Sequence, residues 1–100
     1  MDTTNHAAYT PWKAILHLEA FMEDANPRRL TYVEYRLMMS LILHANSEGH
    51  ATGTYEDLME RSGASGTVVG RCLKALRSLG LIETVTPGKK GQPGVYAVIL

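Results

Sequence analysis

Residues 55–85 read YEDLMERSGASGTVVGRCLKALRSLGLIETV, and this stretch decides the fold. Apolar residues recur at helical spacing on both sides of Gly63, and Ser65 is a residue type that caps helix starts. A glycine directly after a helix favours the left-handed conformation in which helices end. The stretch therefore predicts a helix over 55–62, a tight turn at Gly63, and a second helix over 65–79.

The sequence that follows predicts a β-hairpin. The turn-rich loop PGKKGQPG at 87–94 separates two apolar segments, LIETVT at 81–86 and VYAVIL at 95–100. Two helices joined by a short turn that contains a glycine form a helix-turn-helix. A hairpin after the second helix is a wing, here expected over 82–100 with its basic part at 87–94.

Two further helices are predicted upstream. Thr31 and Glu34 are spaced as a capping box, which predicts a helix from 32 to about 46. A short strand of two or three residues follows, and then a second box at Thr54 and Asp57. Apolar side chains cover more than half of the circumference of helix 32–46, which makes it the buried centre: Tyr35, Met38, Met39, Leu41, Ile42, Leu43 and Ala45.

The first helix is expected over 11–24, after a loose arm at 1–10, with Thr10 as its cap and Pro11 at its first position. One apolar face of this helix should pack on the core: Ala14, Ile15, Leu18, Phe21 and Met22. A second apolar stripe consists of Trp12, Leu16 and Ala20. This stripe is predicted to form a homodimer interface. In the alternative interpretation it packs on the chain's own C-terminal strand or is exposed.

Composition narrows the class of protein. One hundred residues provide one domain, expected over 11–100, with 45% apolar and 20% charged residues, which is typical of a soluble globular fold. The longest apolar run, LMMSLIL at 37–43, is far shorter than the roughly 20 residues that span a bilayer. No secretion signal is evident, and a single cysteine, Cys72, fits a reducing cytoplasm. The predicted fold class is α+β, mainly α with a small hairpin.

The net charge is zero, but acidic and basic residues are distributed unevenly along the chain. Residues 1–60 carry nine acids and four bases, whereas residues 61–100 carry six bases and one acid, Glu83. Such an asymmetry indicates one basic face. In helix 65–79, Val69, Cys72, Leu73 and Leu76 are predicted to face the core, and the opposite face carries bases and no acid: Thr67, Gly70, Arg71, Lys74, Arg77 and Ser78.

Residues 30–100 resemble the winged helix-turn-helix domains of MarR-like bacterial regulators and of plasmid and phage replication proteins. The preceding helix, LTYVEYRLMMSLILHANSEG at 30–49, is similar to the first helix of that class. The positions that carry the resemblance are Leu58, Gly63, Ser65, Val68 with Val69, Arg71, Leu73 with Leu76, and Gly80-Leu81-Ile82. The resemblance implies double-stranded DNA as the partner, and a cytoplasmic prokaryotic protein associated with nucleoid or plasmid.

The residues predicted to contact DNA follow from these faces. Arg71 is expected to read base edges, because a guanidinium can bond guanine bidentately, and Lys74 and Arg77 are expected to contact phosphates. Gly70, a costly residue inside a helix, is predicted to let the backbone lie close to the duplex. The full set is Thr54, Ser65, Gly66, Thr67, Gly70, Arg71, Lys74, Arg77, Lys89 and Lys90, with the two lysines at the wing tip.

The family often has a long polar residue where this chain has Gly66 and Gly70, so specificity is expected to be modest or to depend on DNA shape. A small transcriptional regulator, or a factor for plasmid or phage maintenance, is the predicted role, with a dimer on a repeated or palindromic site. No membrane partner and no small-molecule effector are indicated.

Catalysis and protein interaction are the two other classes of function that bear on this sequence. Both the dinucleotide fingerprint and the phosphate loop need a strand before their glycines, whereas here a helix precedes GxxGxxxG at 63–70. The four histidines and Cys72 lack metal-ligand spacing, so no catalysis, cofactor or metal is expected. A winged helix used as a protein-interaction module, docking through the acidic first half or the Trp12 stripe, is the main alternative.

Overall fold

The computed structural model describes residues 9–24, 28–89 and 91–100 as an α+β fold with four helices and a small antiparallel sheet. The helices are α1 (Pro11–Asp24), α2 (Tyr32–His44), α3 (Tyr55–Ser62) and α4 (Gly66–Ser78), and the strands are β1 (His50–Gly53), β2 (Ile82–Thr86) and β3 (Gly94–Val98). The predicted order of elements is confirmed. Within the described ranges, no helix combines the length and the apolar character that crossing a membrane requires.

Local side chains set the helix starts, as the sequence predicted. The Thr31 hydroxyl accepts from the Glu34 N–H at 3.2 Å, and the Glu34 carboxylate accepts from the Thr31 N–H at 2.9 Å. Thr54 and Asp57 form the same reciprocal pair at the start of α3, at 3.1 and 2.9 Å. Both capping boxes are therefore present, and each satisfies two backbone N–H donors that a helix start would leave open.

The tight turn between α3 and α4 is confirmed at Gly63. Its φ is 74°, a left-handed conformation that suits glycine, and its N–H donates to the Met59 carbonyl at 2.8 Å. Ser65 then caps α4, since its hydroxyl accepts from the Val68 N–H at 3.3 Å. The two helices consequently meet across only three residues.

Helix α2 ends two residues earlier than predicted. Ala45 already has extended backbone angles and pairs with Ala51, and the side-chain oxygen of Asn46 accepts from the N–H groups of Glu48 and His50. Asparagine makes such local bonds readily, which stops the helix. Leu43 is exposed, so its prediction as a core residue was wrong.

The core lies where the helical periodicities predicted it. On α4, Val69, Cys72, Leu73 and Leu76 are all buried. On α1, Ala14 and Leu18 are buried, and Ile15, Phe21 and Met22 pack against the core from its margin. Helix α2 contributes the centre of the cluster, with Leu37, Met38, Leu41 and Ile42 fully buried.

The sheet contains a pairing that the sequence did not predict. Its strand order is β1-β3-β2, with both pairs antiparallel, so β3 lies in the middle. The predicted hairpin of β2 and β3 is confirmed, with an irregularity between Thr84 and Thr86 that leaves Val85 as an extra, exposed residue. Strand β1 is longer than predicted and completes the sheet.

The predicted loose arm is instead held in place at Tyr9. The Tyr9 hydroxyl donates to the Ile42 carbonyl at 2.6 Å, and the Tyr9 N–H donates to the Ser47 carbonyl. Thr10 caps α1 by accepting from the Lys13 N–H at 3.3 Å, as expected. The rest of the arm, residues 1–8, lies outside the described residues.

A bidentate ion pair connects α2 to the segment that precedes it. Both terminal nitrogens of Arg28 donate to the two carboxylate oxygens of Glu34, at 2.8 and 2.9 Å. The bond to Arg28 is the main cause that holds the pKa of Glu34 below its usual range, and the capping bond to Thr31 adds to it. One carboxylate thus caps α2 and binds the segment before it.

Candidate functional site

The outward face of α4 is basic, as predicted. Thr67, Arg71, Lys74, Arg77 and Ser78 are exposed, and the helix contains no acid. Its first turn carries Ser65 and Gly66 but no carboxylate, so the positive end of the helix dipole is not neutralised there. This face can attract an anionic partner along its whole length.

Arg77 differs from the other bases of α4, because it is already engaged. Its Nη1 atom donates to the Thr84 hydroxyl at 2.9 Å, which joins α4 to strand β2. This bond is exposed to solvent and connects the helix and the hairpin at one point. Arg71 and Lys74 have no hydrogen bond or ion pair among the described residues, and they remain available to a partner.

The hairpin ends in a tight turn that presents Lys89. The Lys89 N–H donates to the Gln92 carbonyl at 3.2 Å, and the Gln92 N–H donates to the Lys89 carbonyl at 2.8 Å. Gly91 has a φ of 76° in this turn, which explains the glycine at that position. Lys89 is exposed, whereas Lys90 lies outside the described residues.

Gly70 does not lie on the open surface, and this corrects the prediction of an outward-facing glycine. It is half-buried, and a Cβ atom at this position would lie 3.4 Å from the Tyr55 hydroxyl oxygen. A Cβ on Gly88 would likewise lie 3.4 Å from the Tyr55 ring. Tyr55 therefore stands between α4 and the hairpin, and Gly70 gives room to this side chain.

A broad groove separates the start of α3 from the hairpin tip. It has a volume of about 530 Å³ and is lined by Thr54, Tyr55, Glu56, Gly88, Lys89 and Gly91. Two charged side chains line this groove, the basic Lys89 and the acidic Glu56.

The start of α3 is acidic. Thr54 was predicted to contact DNA, but the Asp57 carboxylate accepts from its N–H, and Glu56 lies in the same first turn. The backbone bond from Thr54 is the main cause that lowers the pKa of Asp57, which therefore stays ionised. The Thr54 hydroxyl already accepts a bond from Asp57 N–H, so only its hydrogen is free for a phosphate.

The second apolar stripe of α1 is exposed. Trp12 is 70% exposed and Leu16 45%, and Ala20 beside them is also on the surface. The alternative interpretation is therefore wrong where it packs this stripe on the chain's own C-terminal strand, and it agrees with the structure where it leaves the stripe exposed. A large tryptophan left in water on a helix face marks a surface that can bury apolar area against a partner.

Comparisons of the chain with known protein families, with characterised proteins and with solved structures give no match. What the site can bind follows from its own side chains. Among the described residues, no three His, Cys, Asp or Glu side chains cluster as metal ligands would. Cys72 is buried, and burial raises the pKa of its thiol, so it serves as a small apolar side chain.

Two residues of the site were missed by the sequence analysis, Tyr55 and Thr84. Thr84 lies two positions after the buried Ile82, and residues two apart in a strand share one face, so this alternation could have placed Thr84 toward α4. No local signal marks Tyr55. Its neighbours Gly70 and Gly88 are distant in sequence, and only the folded chain brings them together.

Proposed function

We propose that this chain is a winged helix-turn-helix domain that binds double-stranded DNA. In this proposal α3 and α4 form the helix-turn-helix, α4 is the helix that enters the major groove, and the β2–β3 hairpin is the wing. The α+β architecture with four helices and a three-stranded antiparallel sheet is compatible with that fold.

The observation that carries the proposal is the placement of basic side chains on both α4 and the hairpin. Lys74 and Arg77 line a small pocket between these two elements, and Lys89 lines the broad groove, whose rim also carries Glu56. The pocket and the groove share Tyr55 and Gly88. Helix and hairpin thus present their bases side by side. Neighbouring basic side chains can bind the phosphates of a duplex. Contacts to these phosphates provide most of the sequence-independent affinity for DNA.

Within this face the side chains take different roles. Arg71 is exposed near the start of α4, where recognition helices contact base edges, and its guanidinium can bond guanine bidentately. Lys74 and Lys89 would contact phosphates. Thr67 and Ser65 are short donors at the helix start. Since Arg71 is the one long side chain at that end, sequence discrimination is modest and DNA shape contributes to it.

Binding to a duplex of random sequence, measured against salt concentration, tests the proposal. Log affinity should fall linearly with log salt, with a slope of about 0.9 per phosphate neutralised. Arg71→Ala and Lys89→Ala should each weaken binding, and Lys89→Ala should also reduce the slope by about one. Arg29→Ala removes an exposed arginine outside the basic face and is the matched control. Duplex affinity that neither variant changes would refute the proposal.

A dimer fits the limited DNA surface that one such domain can cover, and the α1 stripe of Trp12, Leu16 and Ala20 is the proposed interface. Two copies would occupy a repeated or palindromic site, as a small transcriptional regulator or a plasmid or phage maintenance factor does. Selection of bound sequences from a random duplex pool would reveal such a site by its symmetry and spacing.

The exposed tryptophan also favours a second candidate function, a protein-interaction module that docks through α1. Tryptophan is enriched among residues that dominate binding energy at protein interfaces. The salt titration separates the two candidates. A module of this kind would show no steep loss of duplex affinity with salt, and Arg71→Ala would leave partner binding unchanged.

A further inference from the structure

A small pocket lies between α4 and the hairpin, beside the broad groove. Its volume is about 100 Å³, and Tyr55, Gly70, Lys74, Arg77, Thr84 and Gly88 are the lining residues that matter here. We call it the α4–hairpin pocket. Three elements meet there, because Tyr55 comes from α3, Lys74 and Arg77 from α4, and Thr84 from β2.

The charge of this pocket is positive. Lys74 and Arg77 line it, and no carboxylate does so among the described residues. The nearest acid in sequence, Glu83, is exposed on β2, and strand alternation turns it to the face opposite Thr84. An anion in the pocket would therefore meet two cations and no like charge.

Hydroxyl donors complete the pocket. The Thr84 hydroxyl accepts from Arg77, so its own hydrogen is left to donate to a ligand. The Tyr55 hydroxyl has no hydrogen-bond partner among the described residues, although its ring is held between α4 and the hairpin. The Tyr96 side chain is buried beneath the pocket. The pocket thus offers two free hydroxyl hydrogens beside the cationic groups of Lys74 and Arg77.

The pocket is large enough for a small oxyanion. A volume of about 100 Å³ admits a group as large as a few water molecules, such as a tetrahedral oxyanion. Gly88 keeps this space open, because a Cβ there would lie 3.1 Å from the Tyr96 hydroxyl oxygen. Cationic side chains and hydroxyl donors are the groups that proteins use to hold phosphate oxygens.

We propose that the α4–hairpin pocket binds one phosphate group, with Lys74 and Arg77 as its counter-charges and the hydroxyls of Tyr55 and Thr84 as donors. If the phosphate belongs to a duplex backbone, the inference rests on the proposed function and deepens it. The pocket would then fix the register of the domain on DNA, because it accepts one phosphate at one point. A free phosphate ion or monoester has the same chemistry and would occupy the same place.

Titration of the ¹⁵N-labelled protein with inorganic phosphate, at constant pH and ionic strength against chloride, tests the site directly. The amide signals of Gly70, Thr84 and Gly88 should shift with a saturable dependence on phosphate. Tyr55→Phe and Thr84→Val each remove one hydroxyl with little change of shape, and each should weaken phosphate binding by roughly fivefold. The matched controls are Tyr32→Phe and Thr86→Val, which alter exposed hydroxyls elsewhere and should change nothing.

A second arm measures duplex affinity of the Tyr55→Phe, Thr84→Val double variant. Loss of both phosphate and duplex affinity assigns the site to a backbone phosphate, whereas loss of phosphate affinity alone assigns it to a free phosphate. The inference is overturned if the amide shifts do not saturate, if chloride reproduces them, or if the two hydroxyl variants bind phosphate as the unaltered protein does. Arg71→Ala keeps this result separate from the proposed function, since it should weaken duplex binding and leave phosphate binding intact.

Discussion

Helices α1 and α4 have 14 and 13 residues, and each buries one apolar face, yet their outer faces differ in kind. The outer face of α1 carries an apolar stripe, with Trp12 and Leu16 exposed among polar residues, and that of α4 is basic, with Arg71 and Lys74 free. Burial of the inner face makes both helices part of one fold. The outer face decides what each can bind, an apolar surface in one case and an anion in the other.

The largest expected effect tests whether the buried faces of α1 and α4 contribute equally to the free energy of unfolding. Leu18 on α1 and Leu76 on α4 are both fully buried, and replacing either by alanine should lower the free energy of unfolding by about 2–5 kcal/mol. Urea denaturation measures this. Leu43→Ala, at an exposed position of α2, is the control and should change stability by less than about 0.5 kcal/mol. A negligible loss for Leu18→Ala alone would show that α1 unfolds separately from the rest.

The next effect concerns the outer face of α1. Replacing both Trp12 and Leu16 by alanine should weaken self-association by about 2 kcal/mol or more, as truncation of anchor residues does at interfaces. Sedimentation at several concentrations measures the mass. The unaltered protein should sediment as a dimer where the double variant is a monomer, and Arg71→Ala should sediment as the unaltered protein does. An equal mass for both proteins would exclude this face as the interface.

A smaller effect is expected at Gly70 on α4. Replacement by alanine should raise the free energy of unfolding by about 1 kcal/mol, because glycine is unfavourable inside a helix. The new Cβ would lie 3.4 Å from the Tyr55 hydroxyl oxygen, an ordinary contact that requires no rearrangement. Thermal denaturation measures the gain. Gly66→Ala, at the first helical position, should stabilise less, and a loss of stability for Gly70→Ala would show that Tyr55 cannot accept the methyl group.

The smallest effect is a pH dependence confined to the acidic half of the chain. The pKa of Glu34 is lowered in the folded protein by Arg28, so its contribution to stability is complete above its ordinary pKa of 4.5 and is lost as pH falls from there through the folded value. The contribution is small because the Arg28 side chain is 46% exposed and solvent screens the pair. Urea denaturation between neutral pH and pH 3 should show a shallower decline in Glu34→Gln than in Glu48→Gln, an exposed control.

Capping boxes, the Gly63 turn and the buried face of α4 were all predictable, because each is encoded by residues three or four positions apart. The positions of Tyr55 and Thr84 were not, because they depend on contacts between α3, α4 and the hairpin. Gly70 shows the difference most clearly. The helix wheel placed it on the outward face, but in the tertiary fold Tyr55 occupies the space beside it.

The central place of β3 in the sheet also bears on how the chain is made. Strand β1, at residues 50–53, pairs with β3 at residues 94–98, and β2 lies on the other side of β3. During synthesis β1 leaves the ribosome before its partner, so its backbone groups stay unpaired until β3 emerges. Pairing over such a separation in sequence is slow compared with helix formation. The helices can therefore assemble first, and arrival of β3 then completes the sheet and sets the hairpin beside α4.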